Sequence, residues 1–488
     1  MIRLSAAMAA AFALLAAAAP ADARPVAPSA FCAVYPDAPA CADGVALCET
    51  CHTAPPGRNV FGVQIEQSLA PDEARPLSDA VFLEALPAAL ADIESLDADN
   101  DGYDNLEELL AGTGPADARS RPVVGDCPRS VAANGWDVCN YDPGYVFKKL
   151  HLDVCGQSPT RAAVTAFEAE DDRLAALHAA LDVCLDSEWW RGEDGAVWNL
   201  ANRKIAPLKS IKSGDGAGDI PLADYEDDYA FFVYVHTDDR DVREVLTGQY
   251  YVARSGGGGS PTTYTPFDPT GLDDINTRGR NVGQLVFPPF RAGMLTHRWF
   301  LMSQIMFTAL PRTAAAQAYR AYLGYDISRL EGLFPVEGEP ADFDGRGVDE
   351  PECARCHSTL DPLTYPFSRY EGIQGGTGDF RLPFSYNSTR LGAFTETDGP
   401  DIADTPENGR LFGEPVEDLV EWARVAADSE AFARATVLDY WKLMMGEPPR
   451  PEERAEFDTL WNELMTTHQY RVERMLHALI ETEAYGVP

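Results

Sequence analysis

Cys353-Ala354-Arg355-Cys356-His357 is the stretch from which the rest of this chain can be read. Two cysteines three apart, followed at once by a histidine, form the C-x-x-C-H spacing of covalent c-type haem attachment. The thiols are placed to form thioethers with the haem vinyl groups. The histidine then lies against the ring as the proximal iron ligand. Cys48-Glu49-Thr50-Cys51-His52 repeats the spacing near the start of the chain. One copy alone could equally be a redox dithiol or half of a zinc site. Two copies favour haem, with Cys48, Cys51, Cys353 and Cys356 as attachment points and His52 and His357 as iron ligands.

The chain has 488 residues, enough for two or three domains, and 45% of them are hydrophobic, enough for ordinary cores. Its formal net charge of −38 argues against nucleic acid and anionic lipid as partners. It suits a redox partner protein with a basic surface. Met1-Ile2-Arg3, an apolar run from about Ala6 to Ala19 and the small-x-small triplet Ala21-Asp22-Ala23 read as an export signal over residues 1–23. The run is too short for a transmembrane helix, and no later stretch is long and apolar enough for one. The expectation is an exported protein, periplasmic or extracellular, with no membrane span.

Six cysteines remain outside the two motifs: Cys32, Cys41, Cys127, Cys139, Cys155 and Cys184. An even remainder in an oxidising compartment reads as disulfides. Pairing of sequence neighbours gives Cys32–Cys41, Cys127–Cys139 and Cys155–Cys184 as structural staples.

Apolar residues at helical spacing (Val81, Leu83, Leu86, Leu90, Ile93) predict a helix over 78–94. It runs into Asp97-Ala98-Asp99-Asn100-Asp101-Gly102-Tyr103-Asp104-Asn105-Leu106-Glu107-Glu108, which matches the D-x-D-x-D-G-x5-E pattern of an EF-hand loop. Asp97, Asp99 and Asp101 offer hard oxygens at alternating positions, and Gly102 permits the turn. Tyr103 offers its carbonyl, Asn105 a direct or water-mediated contact, and Glu108 a closing bidentate carboxylate. The pattern predicts one structural calcium ion. An acidic surface turn is the plainer reading of the same residues.

Further along, 161–187 and 219–246 read as helical. Ser255-Gly256-Gly257-Gly258-Gly259-Ser260 reads as a flexible linker or loop tip, and 415–486 as mostly helical with a stop at Gly446. Met294, His297, Met445 and His178 are the candidate distal haem ligands, since Met and His side chains can fill iron's remaining position. No methionine lies between Met8 and Met294, so the first motif has no local one. Met306 also lies in the Met- and aromatic-rich stretch that follows His297.

Three stretches together resemble the planctomycete-type cytochrome c modules: Arg291-Ala292-Gly293-Met294-Leu295-Thr296, then Cys353 through Asp361-Pro362-Leu363, then Tyr370-Glu371-Gly372-Ile373. The tail from Val416 to Tyr485 and the segment Val245–Val252 are similar to the same family, so the likeness runs from about residue 225 to the end. Thr364-Tyr365-Pro366 departs from the Gly-Phe usual after Asp-Pro. The N-terminal part is similar to small exported cytochrome modules in which C-x-x-C-H precedes a D-x-D-x-D-G loop. The resemblance implies haem binding and electron transfer, and gives no substrate.

These readings converge on a mainly α, multi-domain dihaem cytochrome c with helical haem-binding domains and long loops. The expected division is a signal peptide (1–23), an N-terminal cytochrome module with the calcium loop (24–115), a cysteine-containing helical and loop region (116–224) and a C-terminal planctomycete-type domain (225–488). The expected cofactors are two covalent haems and one Ca2+, and the expected function is one-electron transfer. A dihaem peroxidase or oxidase with one open iron is an alternative. A cell-surface binding protein with structural haem is another. No catalytic residue is assigned.

Overall fold

The computed structural model describes residues 26–487 apart from 43, 55–56, 74, 76, 102, 118–119, 121, 123–139, 206–209, 213–218, 222–225, 258–259, 268–285, 306–307, 327–333, 373–384, 395–398 and 400. The export segment, Gly102, Ile373, Met306 and the pair Cys127 and Cys139 lie outside the described residues. The chain is mainly helical, with short two-stranded sheets only among the described residues. It divides into two compact units. One is Met1–Asp126 with Arg450–Glu452, and the other is Cys127–Pro449 with Glu453–Pro488. Among the described residues no helix is long and apolar enough to cross a membrane.

The first unit holds helices α1 (Ala27–Val34), α2 (Val60–Ser68), α3 (Asp79–Ile93) and α4 (Asn105–Ala111) around a small core that includes Phe31, Phe61, Ile65, Phe82, Leu86, Leu90 and Ile93. Ser78 starts α3, its hydroxyl accepting the Val81 N–H. The buried face of α3 is Phe82, Leu86, Ala89, Leu90 and Ile93. Leu83 points outward at 44% exposure, because the spacing of 4, 3, 1 and 3 from Phe82 keeps one stripe and places Leu83 about 100° off it. Helix α4 ends at Gly112, whose φ of +80° is the left-handed stop that glycine adopts cheaply. Cys32 and Cys41 are bonded across 9 residues.

The second unit begins with α5 (Pro143–Asp153), α6 (Arg161–Glu168), α7 (Arg173–Leu185), α8 (Ala196–Ile205) and α9 (Glu226–His236). It continues with α10 (Arg312–Ala318), α11 (Pro351–Thr364), α12 (Leu419–Ala427), α13 (Glu430–Met445), α14 (Arg454–Met465) and α15 (Val472–Leu479). Helices α5 to α8 share one continuous core with the C-terminal helices, centred on buried Trp190, Trp422 and Trp441. Cys155 and Cys184 are bonded, tying the end of α5 to α7. Helix α13 stops at Gly446 with φ +84°, as expected.

Two local expectations are corrected. Of the two readings of 255–260, the linker gives way to the loop tip: the described residues on either side pair as an antiparallel hairpin, Tyr251–Gly257 against Ser260–Phe267. Alternating Thr and Tyr flank the glycines, and Tyr251 and Val252 anchor one strand in the core. Residues 219–221 are not helical but pair with 210–212 as strands.

His236 ends α9 in full burial. Its Nδ1 lies 2.8 Å from the Phe232 carbonyl and its ring stacks on Phe232 at 3.9 Å. Burial lowers its pKa to about 3, against the opposing effect of its hydrogen bond to the Phe232 carbonyl. The folded state therefore keeps it neutral while the unfolded chain takes up a proton below about 6.5. Its stabilising contribution is full above that pH and falls as pH drops toward 3. Chemical denaturation at pH 7 and pH 5 should show a smaller acid loss in His236→Gln than in the parent.

The nearest-neighbour staple Cys155–Cys184 closes 29 residues, so replacing both by Ser should cost about 3.6 kcal/mol in a urea titration.

Candidate functional site

The first motif sits on a tight turn in front of a helix. Residues Cys48–Thr50 form a short 3-10 turn, and His52 opens a two-strand hairpin with Gly57–Arg58. Asn59 then does two jobs. Its side-chain oxygen accepts the Gly62 N–H at 2.8 Å, capping α2. Its amide nitrogen donates to the carbonyls of Glu49 and Thr50, both at 3.0 Å. The Asn59 N–H also reaches the Cys51 carbonyl at 3.1 Å. The turn carrying both thiols is thereby bound to the start of α2. Only glycine fits at position 62, since a Cβ there would lie 2.0 Å from the Cys51 carbonyl oxygen.

The second motif sits on regular helix. Cys353, Cys356 and His357 occupy the first two turns of α11, which has proline at its first position. One turn later Asp361 is fully buried and accepts from His357 Nδ1 at 2.8 Å. Arg312 of α10 grips both oxygens of Asp361, Nε at 2.7 Å and a terminal nitrogen at 2.8 Å. Asp344 holds the other side of Arg312 at 2.6 and 3.0 Å. Burial works to raise the Asp361 carboxyl, but the hydrogen bonds from Arg312 and His357 outweigh it and hold it below its usual range. Pro362 has no N–H for the Ser358 carbonyl one turn back. The Val336 N–H takes that carbonyl at 3.1 Å, so the preceding loop is stitched to α11.

None of the four motif thiols is in a disulfide, whereas the other described cysteines are. Burial pushes Cys51 up to about 12, with Cys48 adding to it, and burial together with Glu49 raises Cys48. A reactive dithiol needs the opposite, a stabilised thiolate. Each motif histidine is held through Nδ1, His52 by the Gly57 carbonyl at 3.2 Å and His357 by Asp361. Both partners can only accept, so Nδ1 carries the proton and Nε2 the free lone pair. No described group hydrogen-bonds Nε2 of either ring. This donor set fits a covalently held haem: two thiols outside any disulfide and an imidazole whose Nε2 lone pair is available to coordinate.

The acidic loop brings three carboxylates together. Carboxylate oxygens of Asp97, Asp99 and Asp101 lie within 4.8 Å of one another. Asp97 Oδ1 accepts the N–H groups of Asn100 and Asp101, and Asp101 Oδ1 accepts that of Tyr103. Asp104 and Glu107 form a reciprocal capping box at the start of α4 and so are turned to the helix end instead. Glu108 is fully buried. Burial, then Asp99, Asp101 and Asp97, pushes its carboxyl up to about 8. Asp99 Oδ2, Asn105 Oδ1 and Glu108 Oε2 are buried without a hydrogen-bond partner among the described residues. Oxygens left so are costly unless a cation takes them, and the set is the hard, all-oxygen one that calcium prefers. Asn105 Nδ2 donates to Gln64 Oε1 of α2 at 2.8 Å and to the Ile93 carbonyl of α3 at 2.7 Å.

The four candidate distal ligands occupy separate environments. Met294 is buried in a turn where Thr296 accepts from Arg291 and from the Ala292 N–H. His297 is fully buried between Phe231 and Tyr251, with Nδ1 3.1 Å from Asp228 Oδ1. Met445 is partly buried at the end of α13. His178 has both ring nitrogens engaged, Nδ1 with His477 Nδ1 at 2.7 Å and Nε2 with Glu481 at 2.9 Å. Sequence reading passed over Asn59, Gly62, Arg312 and Asp344, and gave Asp361 no role. The one signal for Asp361 was its position four residues after His357, one turn on a helix.

Comparison with models of known families, with curated proteins and with solved structures finds no match for this chain.

Replacing Gly62 by Ala should destabilise the first unit by about 2 kcal/mol, because the backbone clash exceeds the roughly 1 kcal/mol that alanine adds to a helix. Urea unfolding with a probe in that unit reads the change.

Proposed function

We propose that this chain is an exported dihaem c-type cytochrome that carries single electrons, with a structural calcium site in its first unit. The observation that carries the reading is the pair of C-x-x-C-H motifs whose thiols are in no disulfide and whose histidines both donate through Nδ1. When bound, c-type haem supplies a reversible one-electron couple at iron. Cys48 and Cys51, and Cys353 and Cys356, hold the two groups. His52 and His357 present Nε2 to the metal. The resemblance of the region after 225 to planctomycete-type cytochrome modules supports the same function.

The chain's own residues hold these ligands still. Asn59 and Gly62 seat the first thiol turn on α2. Arg312 and Asp361 fix the rotation of the His357 ring. A ring that keeps its orientation as the charge on its partner changes needs little reorganisation, which suits electron transfer. The calcium loop bears on the first motif through Asn105 and Gln64, since Gln64 lies on the helix that Asn59 caps. Asp97, Asp99, Asp101, Asn105 and Glu108 would hold the ion, with the Tyr103 carbonyl completing the set.

The test is absorption spectroscopy of the purified exported protein, oxidised and reduced, with and without cyanide or carbon monoxide. The proposal expects two c-type haems that reduce and reoxidise reversibly and ignore both ligands. A haem that binds cyanide and turns over peroxide would move the assignment to a dihaem peroxidase.

For the acidic loop, adding calcium at 100 times its Kd should stabilise the first unit by about 2.7 kcal/mol, and Glu108→Gln should remove most of that gain. Thermal unfolding with calcium and with chelator makes the comparison.

A further inference from the structure

The two motif histidines have unlike partners. His52 donates to a neutral backbone carbonyl, Gly57, at 3.2 Å in an exposed hairpin. His357 donates to a carboxylate, Asp361, at 2.8 Å, and that carboxylate is 0% exposed. We propose that Asp361 is a positioning and tuning residue that makes the haem at Cys353 and Cys356 the lower-potential centre of the pair. The inference rests on haem binding at both motifs and adds an order to them.

Two effects of Asp361 combine. A carboxylate accepting from Nδ1–H draws the proton toward itself, so Nε2 gains electron density and binds the more positive oxidised iron more strongly. The second effect is net charge. Asp361 and Asp344 each carry −1 and Arg312 carries +1, which leaves −1 around the ligand. Asp344 is only 8% exposed, so water and salt screen this charge weakly. A fixed negative charge beside the ligand opposes the arrival of an electron. His52 lacks the first feature: its acceptor is the uncharged Gly57 carbonyl.

Arg312 sets the strength of the effect. Its Nε shares the same Asp361 oxygen that His357 uses, so it competes for that oxygen's charge. Asp344 occupies Arg312 from the other side and weakens that competition. The order of effects follows. Asp361→Asn removes the charged acceptor and leaves a neutral one. Asp344→Asn leaves the acceptor in place and frees Arg312 to lean on it.

The experiment is a spectroelectrochemical titration of the exported holoprotein and of both variants, with peptide mass spectrometry confirming haem on Cys353 and Cys356. Asp361→Asn should raise the lower of the two midpoints by about 59 mV, a tenfold change in the one-electron equilibrium, and leave the upper one unchanged. Asp344→Asn should move the same midpoint in the same direction by less. It keeps the His357–Asp361 contact and so gives a reading where Asp361→Asn yields no folded protein. An unmoved or lowered midpoint in both variants, or a shift confined to the higher-potential haem, would overturn the proposal. Absence of haem from Cys353 and Cys356 in the parent would instead defeat the haem assignment on which it rests.

Discussion

A buried carboxylate is the constraint around which the second unit's motif is built. Asp361 has no exposure, and an ionised group there is tolerable only with matched partners. Arg312 and His357 are those partners, and together they fix α10 against α11 and fix the imidazole on α11. Removing one partner from such a pair typically costs about 3–5 kcal/mol, because the other charge is left stranded. The arrangement is expensive as a means of stability alone, and a hydrophobic pair would hold two helices as well. Its distinctive product is a histidine with one allowed tautomer, one orientation and an outer nitrogen kept free.

The first unit reaches a similar end by weaker means. There the histidine leans on a backbone carbonyl, and a single asparagine binds the thiol turn to a helix start. The acidic loop adds stiffness from the far side of α2 through Asn105 and Gln64. A small core of this size gains from such ties, and the Cys32–Cys41 bond is a further one. The loop leaves buried oxygens without a hydrogen-bond partner among the described residues, whereas both Asp361 oxygens in the Arg312 network are met.

How much of this was legible in the sequence follows from what is local. C-x-x-C-H and the acidic loop stand out as patterns because each lies within a few consecutive residues, and the cofactors they suggest belong to the proposal. The same locality made the Cys32–Cys41 and Cys155–Cys184 bonds readable as neighbour pairs. The helix before the acidic loop was readable too, although its buried face runs through Phe82 and not Leu83. What stayed hidden is the long-range pairing. Arg312 meets Asp361 across 49 residues, and His178 meets His477 across 299, and no spacing rule links either pair. The hairpin at 251–267 was masked by its glycines, which resemble a linker until the alternating strands on either side are counted.

The account depends on covalent haem at both motifs, and the most direct test is the intact mass of the exported, purified protein followed by sequencing of its haem peptides. Two haem additions, one on the peptide with Cys48 and Cys51 and one on that with Cys353 and Cys356, are the predicted result. A mature chain with four free motif thiols, or with those cysteines joined as two disulfides or bound to zinc, would contradict it.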